Sequence, residues 1–261
     1  MAREGYLVGA GEDTIHTGVI ELKTAKDKRK NWWFYHKAHL IIGIVATVMA
    51  ASLIWSIVGK VDPDYSIALV TSYNVPSEVL SSMENHIARY ADDRNGDGKV
   101  IINVNSYVFG DIATTTDLQA MQAVFARFTG DATLGTNMIY IHDSAGLSSV
   151  SDMLMGFFQY NDGSPMPDTA IDFENAMLPL SDYKAFTDFA AVGSELSNWT
   201  PEVVKELCAR LRVSVRAKEG SSIEGDKKLE AYYDASLALL DRLKNDSPIS
   251  ADNADDANSA G

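Results

Sequence analysis

The chain has 261 residues, enough for one or two domains, and its single cysteine, Cys208, excludes an intrachain disulfide. Its charge is unevenly distributed. Residues 1–60 hold eight basic and five acidic residues, whereas residues 61–261 hold fourteen basic and thirty-one acidic residues, which gives net charges of +3 and −17. A region this acidic repels nucleic acid and anionic surfaces, so the sequence argues against nucleic-acid binding.

An uncharged run of nineteen residues, LIIGIVATVMAASLIWSIV, occupies Leu40–Val58. As an α-helix it would be roughly 28 Å long, which nearly matches the hydrocarbon core of a bilayer. Basic residues are concentrated before the run, within Lys23–Lys37, whereas Asp62 and Asp64 follow it. Because cytoplasmic flanks are enriched in Lys and Arg, the sequence predicts a single-pass protein of the cell membrane with a cytoplasmic N-terminus.

Two other interpretations of the apolar run compete with an anchor. A cleaved signal peptide has an apolar segment of about 7 to 15 residues, and this run continues past Ala50 and Ala51. A core helix of a soluble domain would carry a polar face, which the run lacks. We therefore predict a cytoplasmic tail over residues 1–37 (largely disordered to residue 30), an uncleaved transmembrane anchor over 38–60, an extracytoplasmic α/β domain over 61–245, and a disordered acidic tail over 246–261.

Beyond the anchor, strand and helix patterns alternate along the chain. Strands are predicted for Tyr65–Tyr73, Lys99–Phe109, Asn137–His142 and Leu211–Ala217. Helices are predicted for Pro76–Tyr90, Asp117–Phe128, Ser148–Tyr160, Pro201–Arg210 and Lys227–Leu243, with short helices around Phe173–Met177 and Tyr183–Ala191. This order predicts a three-layer α/β domain with a mostly parallel sheet of about four or five strands.

One local motif resembles the start of a calcium-binding loop. In DRNGDGKV, Asp93, Asn95 and Asp97 stand at the first, third and fifth positions, and Lys99 would offer its backbone carbonyl. The twelfth position, which should supply a bidentate carboxylate, is Val104. The motif predicts a structural calcium ion, and the alternative is a turn that uses two common turn dipeptides, Asn-Gly and Asp-Gly.

A second candidate site lies where the predicted parallel strands end. In sheets of this class, ligands bind beyond the carboxyl ends of the strands. The polar residues predicted to line such a crevice are Ser72, Tyr73, Asn105, Asp143 and Ser144. His142 beside Asp143 and Ser144 also raises the idea of a catalytic triad, but adjacent residues of one loop rarely converge in that way. Capping of the next helix by Asp143 or Ser144 is the alternative.

The segments WWFYHKAHL, DRNGDGKV and IINVNSYVF resemble a group of uncharacterised, membrane-anchored proteins of Gram-positive bacteria. The outer domain of those proteins is similar to part of a type 2 extracellular solute-binding protein. The resemblance covers about residues 31–245 and implies a bacterial cell-surface location and a sheet of the solute-binding type. It supplies no catalytic residues, and this chain is shorter than the two full lobes that clamp a solute.

The sequence therefore predicts a non-enzymatic surface protein that contacts the lipid bilayer and binds a small solute or another envelope protein. Two alternatives remain open. One is a hydrolase that acts on the cell wall or on an extracellular substrate. The other is a structural subunit of a membrane assembly, in which small residues such as Gly43 and Ala46 would contact a partner helix.

Overall fold

The computed structural model describes residues 24–58, 62–110, 118–169, 173–187, 189 and 199–249. The chain divides into two compact units, residues 1–61 and residues 62–261. The first unit contributes one helix, and the second contains a sheet with helices on both faces.

Helix α1 extends over Ala25–Val58 and is the one described helix that is long and apolar enough to cross a bilayer. Its Lys28–Leu53 segment has a mean hydropathy of 1.5, and none of it is buried. Thr47 donates its hydroxyl to the carbonyl of Gly43 at 2.8 Å, so this polar group is satisfied within the helix. Residues 25–30, at the end of the segment predicted to be largely disordered, belong to α1 in the structure, and their Ala, Lys and Arg residues favour the helical state.

Five strands form the sheet in the order β2-β1-β3-β5-β4. Their bounds are Tyr65–Thr71 (β1), Ile102–Val108 (β2), Ile139–His142 (β3), Leu178–Pro179 (β4) and Arg212–Val215 (β5). Strand β1 is parallel to β2 and β3, whereas β5 is antiparallel to both β3 and β4. The α/β class is confirmed, but the sheet is mixed rather than mostly parallel, since a residue pattern fixes which side chains are buried and not the direction of a strand.

The two faces of the sheet carry separate cores. Alternate residues of β1, such as Ile67 and Leu69, face a core that is shared with the helices Ser77–Ala88, Pro201–Arg210 and Lys227–Asn245. Ala68 and Val70 face a second core that is shared with the helices Leu118–Leu134 and Ser144–Val150. This alternation arises because successive side chains of a strand point to opposite faces. The predicted three-layer arrangement is therefore present.

The helices of the second unit are Ser77–Ala88 (α2), Leu118–Leu134 (α3), Ser144–Val150 (α4), Pro201–Arg210 (α5) and Lys227–Asn245 (α6). The helix predicted at Ser148–Tyr160 is wrong, because α4 begins at its Asp143 cap and ends at Val150. Gly156 then adopts a φ of 67°, which is incompatible with a continued helix. Short 3₁₀ segments over Ser151–Met153, Glu174–Ala176, Leu180–Asp182 and Lys184–Phe186 complete the described helices.

The chain stays attached to the domain beyond α6. Asp246 adopts a left-handed conformation and accepts a hydrogen bond from the hydroxyl of Tyr90 at 2.6 Å. The backbone N–H of Ile249 donates to the carbonyl of Arg89 at 3.0 Å. The predicted disordered tail therefore cannot begin at residue 246, and residues 250–261 lie outside the described part of the chain.

Candidate functional site

The structure brings together two residues of the predicted crevice at the ends of β1 and β3. One carboxylate oxygen of Asp143 accepts hydrogen bonds from the backbone N–H of Ser72 at 3.0 Å and from its hydroxyl at 2.8 Å. The other oxygen accepts from the backbone N–H of Gly146 in the first turn of α4. Asp143 therefore caps α4 and ties it to the chain after β1, which is the capping role that the sequence left open.

Tyr73 and Ser144 flank this cap without joining it. Burial, followed by the negative charge of Asp143, raises the pKa of Tyr73 to about 12. The Tyr73 hydroxyl is buried and finds no hydrogen-bond partner among the described residues. Ser144 is exposed at the first position of α4. Ser72, Asp143 and Gly146 thus form a structural junction at this edge, beside the buried Tyr73 hydroxyl and the exposed Ser144.

We expect Asp143→Ala to lower the free energy of unfolding by about 2 kcal/mol, because it removes a helix cap and the acceptor for Ser72. Asp143→Asn should cost less, since an amide oxygen can still accept from the α4 backbone. Ser144→Ala, at an exposed neighbouring position, is the matched control and should change little. Thermal unfolding followed by circular dichroism measures all three, and equal losses for Asp143→Ala and Ser144→Ala would contradict the capping role.

His142 is buried at the end of β3. Its Nε2 atom lies 2.9 Å from the hydroxyl oxygen of Ser214 on β5, and its Nδ1 has no partner among the described residues. Burial lowers the pKa of His142 to about 4, so the ring is neutral at pH 7. His142 points to the face of the sheet that packs on α3 and α4, whereas Asp143 turns back to cap α4.

The calcium-like motif folds into a loop whose oxygens already bind its own backbone. Asp93 accepts from the N–H groups of Gly96 and Gly98 at 2.7 and 2.8 Å, and Asn95 and Asp97 each accept from the N–H two residues ahead at 2.8 Å. In the part of the chain that the structure describes, no three His, Cys, Asp or Glu side chains form a group suited to a metal. Calcium binding by Asp93, Asn95, Asp97 and Lys99 stays a prediction.

A buried carboxylate outside the motif holds this loop. Asp64 is fully buried just before β1 and accepts backbone hydrogen bonds from Arg94 at 2.8 Å, Asn95 at 3.0 Å and Ile101 at 2.9 Å. Three N–H donors compensate the buried negative charge without a cation. Asp64 therefore joins the start of β1 to both ends of the loop.

Calcium binding by the loop has a direct test. If the dissociation constant is near 1 mM, as in many extracellular modules, 10 mM calcium should stabilise the chain by about 1.4 kcal/mol. Melting temperatures in calcium, in magnesium and in chelator measure this effect, and Asp97→Asn should weaken it. Identical melting temperatures in calcium and chelator would contradict calcium binding.

Asn105 lies apart from the other four residues of the predicted crevice. It faces α3, where its Oδ1 accepts from the Arg127 guanidinium at 2.6 Å and its Nδ2 donates to Asn137 at 3.0 Å. Asn137 in turn donates to the hydroxyl of Tyr107 at 3.2 Å, and this hydroxyl donates to Asp131 at 2.6 Å. The network lies nearer the starts of the parallel strands, so Asn105 belongs to a different site from Ser72 and Asp143.

That site is a cavity of about 390 Å³, which we call the basal pocket. It opens at the edge where the parallel strands begin, opposite the edge that the sequence indicated. Its lining comes from the chain before β1, from β1 and β2, from the 93–99 loop, and from α3 and α6. The lining residues are Asp62, Pro63, Ser66, Arg94, Asn103, Asn105, Arg127, Asp131, Thr136 and Tyr232.

Two guanidinium groups line the basal pocket. Arg94 donates its Nε–H to the backbone carbonyl of Asp64 at 2.8 Å and lies over the Tyr232 ring, 4.4 Å from the ring centroid. Arg127 lies over the Tyr107 ring at 5.2 Å, and its nearest carboxylate, Asp131, is 3.7 Å away. The contacts that position these two guanidinium groups therefore come mainly from backbone, amide and aromatic groups rather than from carboxylates.

The sequence contained a signal for this pocket. Asn103 and Asn105 are alternate residues of β2 and so share one face of the strand. Arg127 and Asp131 are four residues apart and share one face of α3. The polar face of β2 and the polar face of α3 meet because α3 packs on β2. The sequence pattern alone does not predict that packing.

No family model, no curated protein and no solved structure matches the chain. Its function is therefore argued from its own residues, and the resemblance to membrane-anchored solute-binding domains stays a prediction.

Proposed function

We propose that the protein is a single-pass membrane protein whose extracytoplasmic α/β domain binds a small polar solute in the basal pocket. One observation carries the proposal: polar side chains line a cavity on a face of the sheet that would otherwise bury apolar groups. Asn103, Asn105 and Ser66 occupy strand positions on that face, and each offers hydrogen-bonding atoms. Cavities of a few hundred cubic ångströms with convergent polar groups are typical of small-molecule sites.

Burying the polar side chains of this lining costs free energy of desolvation, and a ligand-binding role would explain why they are there. Asn105 and Asn137 are buried, and every amide in such a position must be matched by a hydrogen bond. Apolar residues at these two positions would pack β2 against the segment before β3 without that requirement. Places where a fold departs from the simple burial rule are often functional, and this departure lies at the basal pocket.

Solute binding is tested by blocking the pocket. The full chain, in detergent, is screened by thermal shift against a panel of sugars, amino acids and small carboxylates, and binding is then measured by calorimetry. Asn103→Trp places a large ring at an exposed position of the lining and should abolish the shift. Lys205→Trp, at an exposed position of α5 on the opposite side of the sheet, is the matched control and should bind normally.

A panel in which no compound shifts either protein would contradict solute binding in this pocket. Equal binding by Asn103→Trp and Lys205→Trp would place the solute elsewhere on the protein.

The membrane location rests on α1 and on the charges beside it. Helix α1 is long and apolar enough to cross a bilayer, and a signal sequence near the N-terminus can have the same length and hydropathy. The basic residues Lys26, Lys28, Arg29, Lys30 and Lys37 precede its apolar part, and this asymmetry supports a cytoplasmic N-terminus. The acidic second unit would then face the cell exterior.

Cysteine labelling tests this topology. The native Cys208 is buried, and burial raises the pKa of its thiol to about 11, so it should react poorly with maleimide. An impermeant maleimide should label Ser247→Cys on intact cells, whereas Lys26→Cys should react only after permeabilisation. Both positions are exposed in the structure. Labelling of Lys26→Cys on intact cells would contradict the proposed orientation, and release of the labelled domain into the medium would contradict an uncleaved anchor.

The hydrolase alternative rested on convergence of His142, Asp143, Ser144 and Asn105. The structure places His142 against Ser214, Asp143 on the α4 cap, Ser144 in solvent, and Asn105 in the basal pocket. Of these four residues, Asn105 lines the basal pocket and the other three do not, which supports solute binding over hydrolysis.

A further inference from the structure

We infer that the basal pocket selects an anion, a small molecule that carries one carboxylate or phosphate group and additional hydroxyls. This inference rests on the proposed function, because it names the chemical class of the solute that the pocket would bind. It depends on how Arg94 and Arg127 are held and on which of their donors remain available.

Arg94 is held in place by contacts other than an ion pair with a described carboxylate. Its Nε–H is used by the Asp64 carbonyl, and its plane is held over Tyr232 by a cation–π contact. Among the described residues, no carboxylate lies within ion-pair distance of its guanidinium. Its terminal nitrogens therefore keep donors that suit the paired oxygens of a carboxylate or phosphate.

Arg127 is directed into the same cavity by a neutral partner. One terminal nitrogen donates to Asn105, and the Asp131 carboxylate is already engaged by the Tyr107 hydroxyl at 2.6 Å. Because guanidinium has five N–H donors, this arrangement also leaves donors available. Two cations that line one pocket are unexpected in a region whose net charge is −17. An anionic ligand would complement these two guanidinium groups, since Arg94 has no ion pair among the described residues and the Arg127–Asp131 contact is long, at 3.7 Å.

The other lining groups define the rest of the ligand. Asp131 and Asp62 are acceptors for ligand hydroxyls, and they balance the two guanidinium charges of the lining. This balance disfavours ligands with several negative charges and permits a ligand with one. Asn103 donates to Asn105 at 3.2 Å, which leaves its own carbonyl oxygen free to accept. A hydroxylated monoanion matches this distribution.

The test uses pairs of probes that differ only in charge. Gluconate is compared with sorbitol, and glycerol 3-phosphate with glycerol, by calorimetry on the full chain in detergent at constant ionic strength set with chloride. We expect one anion to bind at least about tenfold more tightly than its neutral partner. Arg94→Gln and Arg127→Gln should each remove that preference. Arg210→Gln, at an exposed arginine of α5 that pairs with Glu206, should leave it unchanged.

Each result has a separate meaning. Equal binding of anion and neutral partner, or a preference that survives Arg94→Gln in a protein with an unchanged melting temperature, would overturn the anion inference while solute binding stands. If no probe binds and the solute panel above also fails, both proposals are wrong.

The anionic group could belong to a free solute or to a lipid headgroup, and nanodiscs distinguish these sources. The melting temperature of the full chain is compared in phosphatidylglycerol and in phosphatidylcholine nanodiscs. A rise that occurs only with phosphatidylglycerol and is lost in Arg94→Gln identifies a headgroup, whereas tight binding of gluconate or glycerol 3-phosphate in detergent identifies a free anion. Absence of both effects would overturn the inference.

Discussion

Replacing Asp64 with alanine is expected to lower the free energy of unfolding by about 4 kcal/mol, the largest single effect foreseen for this chain. The carboxylate is fully buried and accepts three backbone hydrogen bonds, from Arg94, Asn95 and Ile101. Its removal leaves these donors unpaired at the junction of the 93–99 loop with β1. Chemical unfolding in detergent measures the loss.

Asp62→Ala is the matched control, because Asp62 is exposed and only two residues away. Its effect should stay within about 0.5 kcal/mol. Asp64→Asn should be intermediate, since one amide oxygen replaces two carboxylate oxygens and the amide N–H₂ group faces another donor. Asp64→Ala keeps the backbone carbonyl that accepts from the Arg94 guanidinium, but it removes the carboxylate that accepts from the backbone N–H groups of Arg94 and Asn95, so displacement of the loop should weaken anion binding as well. Similar stability of Asp64→Ala and Asp62→Ala would contradict the structural role of Asp64.

A drop in pH should destabilise the domain through His142. Burial lowers the folded-state pKa of His142 to about 4, below its ordinary value of 6.5. Between these two values the unfolded chain binds more protons than the folded chain, so stability is lost as the pH falls from 6.5 towards 4. A shift of this size corresponds to about 3 kcal/mol, fully present above pH 6.5. Burial also lowers the pKa of His86, which adds to the trend in the same direction.

His142→Gln separates this contribution from the carboxylates that also titrate at low pH. Free energies of unfolding at pH 7.0, 5.5 and 4.5 should fall less steeply in His142→Gln than in the unchanged chain. His86→Gln should reduce the slope by a smaller amount, because His86 is less buried than His142. Equal slopes for the unchanged chain and His142→Gln would show that the buried ring does not resist protonation.

Local sequence patterns predicted the elements of this fold with useful accuracy. The strands β1, β2, β3 and β5 and the helices α2 and α5 lie within the ranges that the apolar spacing indicated, and α6 begins as predicted and ends two residues later, at Asn245. The errors have local causes. The apolar spacing predicts helix α4 too late, because the pattern starts from Val150 and Met153, whereas α4 begins directly after its Asp143 cap and ends at Val150. Strand β4 was missed because it has only two residues, Leu178 and Pro179, and exists through its pairing with β5.

The candidate site was less predictable than the fold. Ser72 and Asp143 do meet, as the rule of adjacent strand ends foresaw, but they form a cap. The sequence grouped Asn105 with residues at the edge where the parallel strands end. Its hydrogen-bond partners, Arg127 and Asn137, instead come from segments that no local pattern connects to β2. The importance of Asp64 was not visible, because an acidic residue after an apolar run has the same appearance whether it is buried or exposed.

The sequence by itself determined the apolar helix, the alternation of strands and helices, and the acidic character of the second unit. Each of these follows from residue type and spacing along a local segment, where side-chain periodicity and charge act directly. Only the tertiary structure decided the direction of β5, the use of Asp143 as a cap, and the basal pocket. Those features depend on contacts between residues far apart in the chain, such as Asn105 with Arg127 and Arg94 with Tyr232. Their free energies depend on which groups exclude water together, and no single segment contains that information.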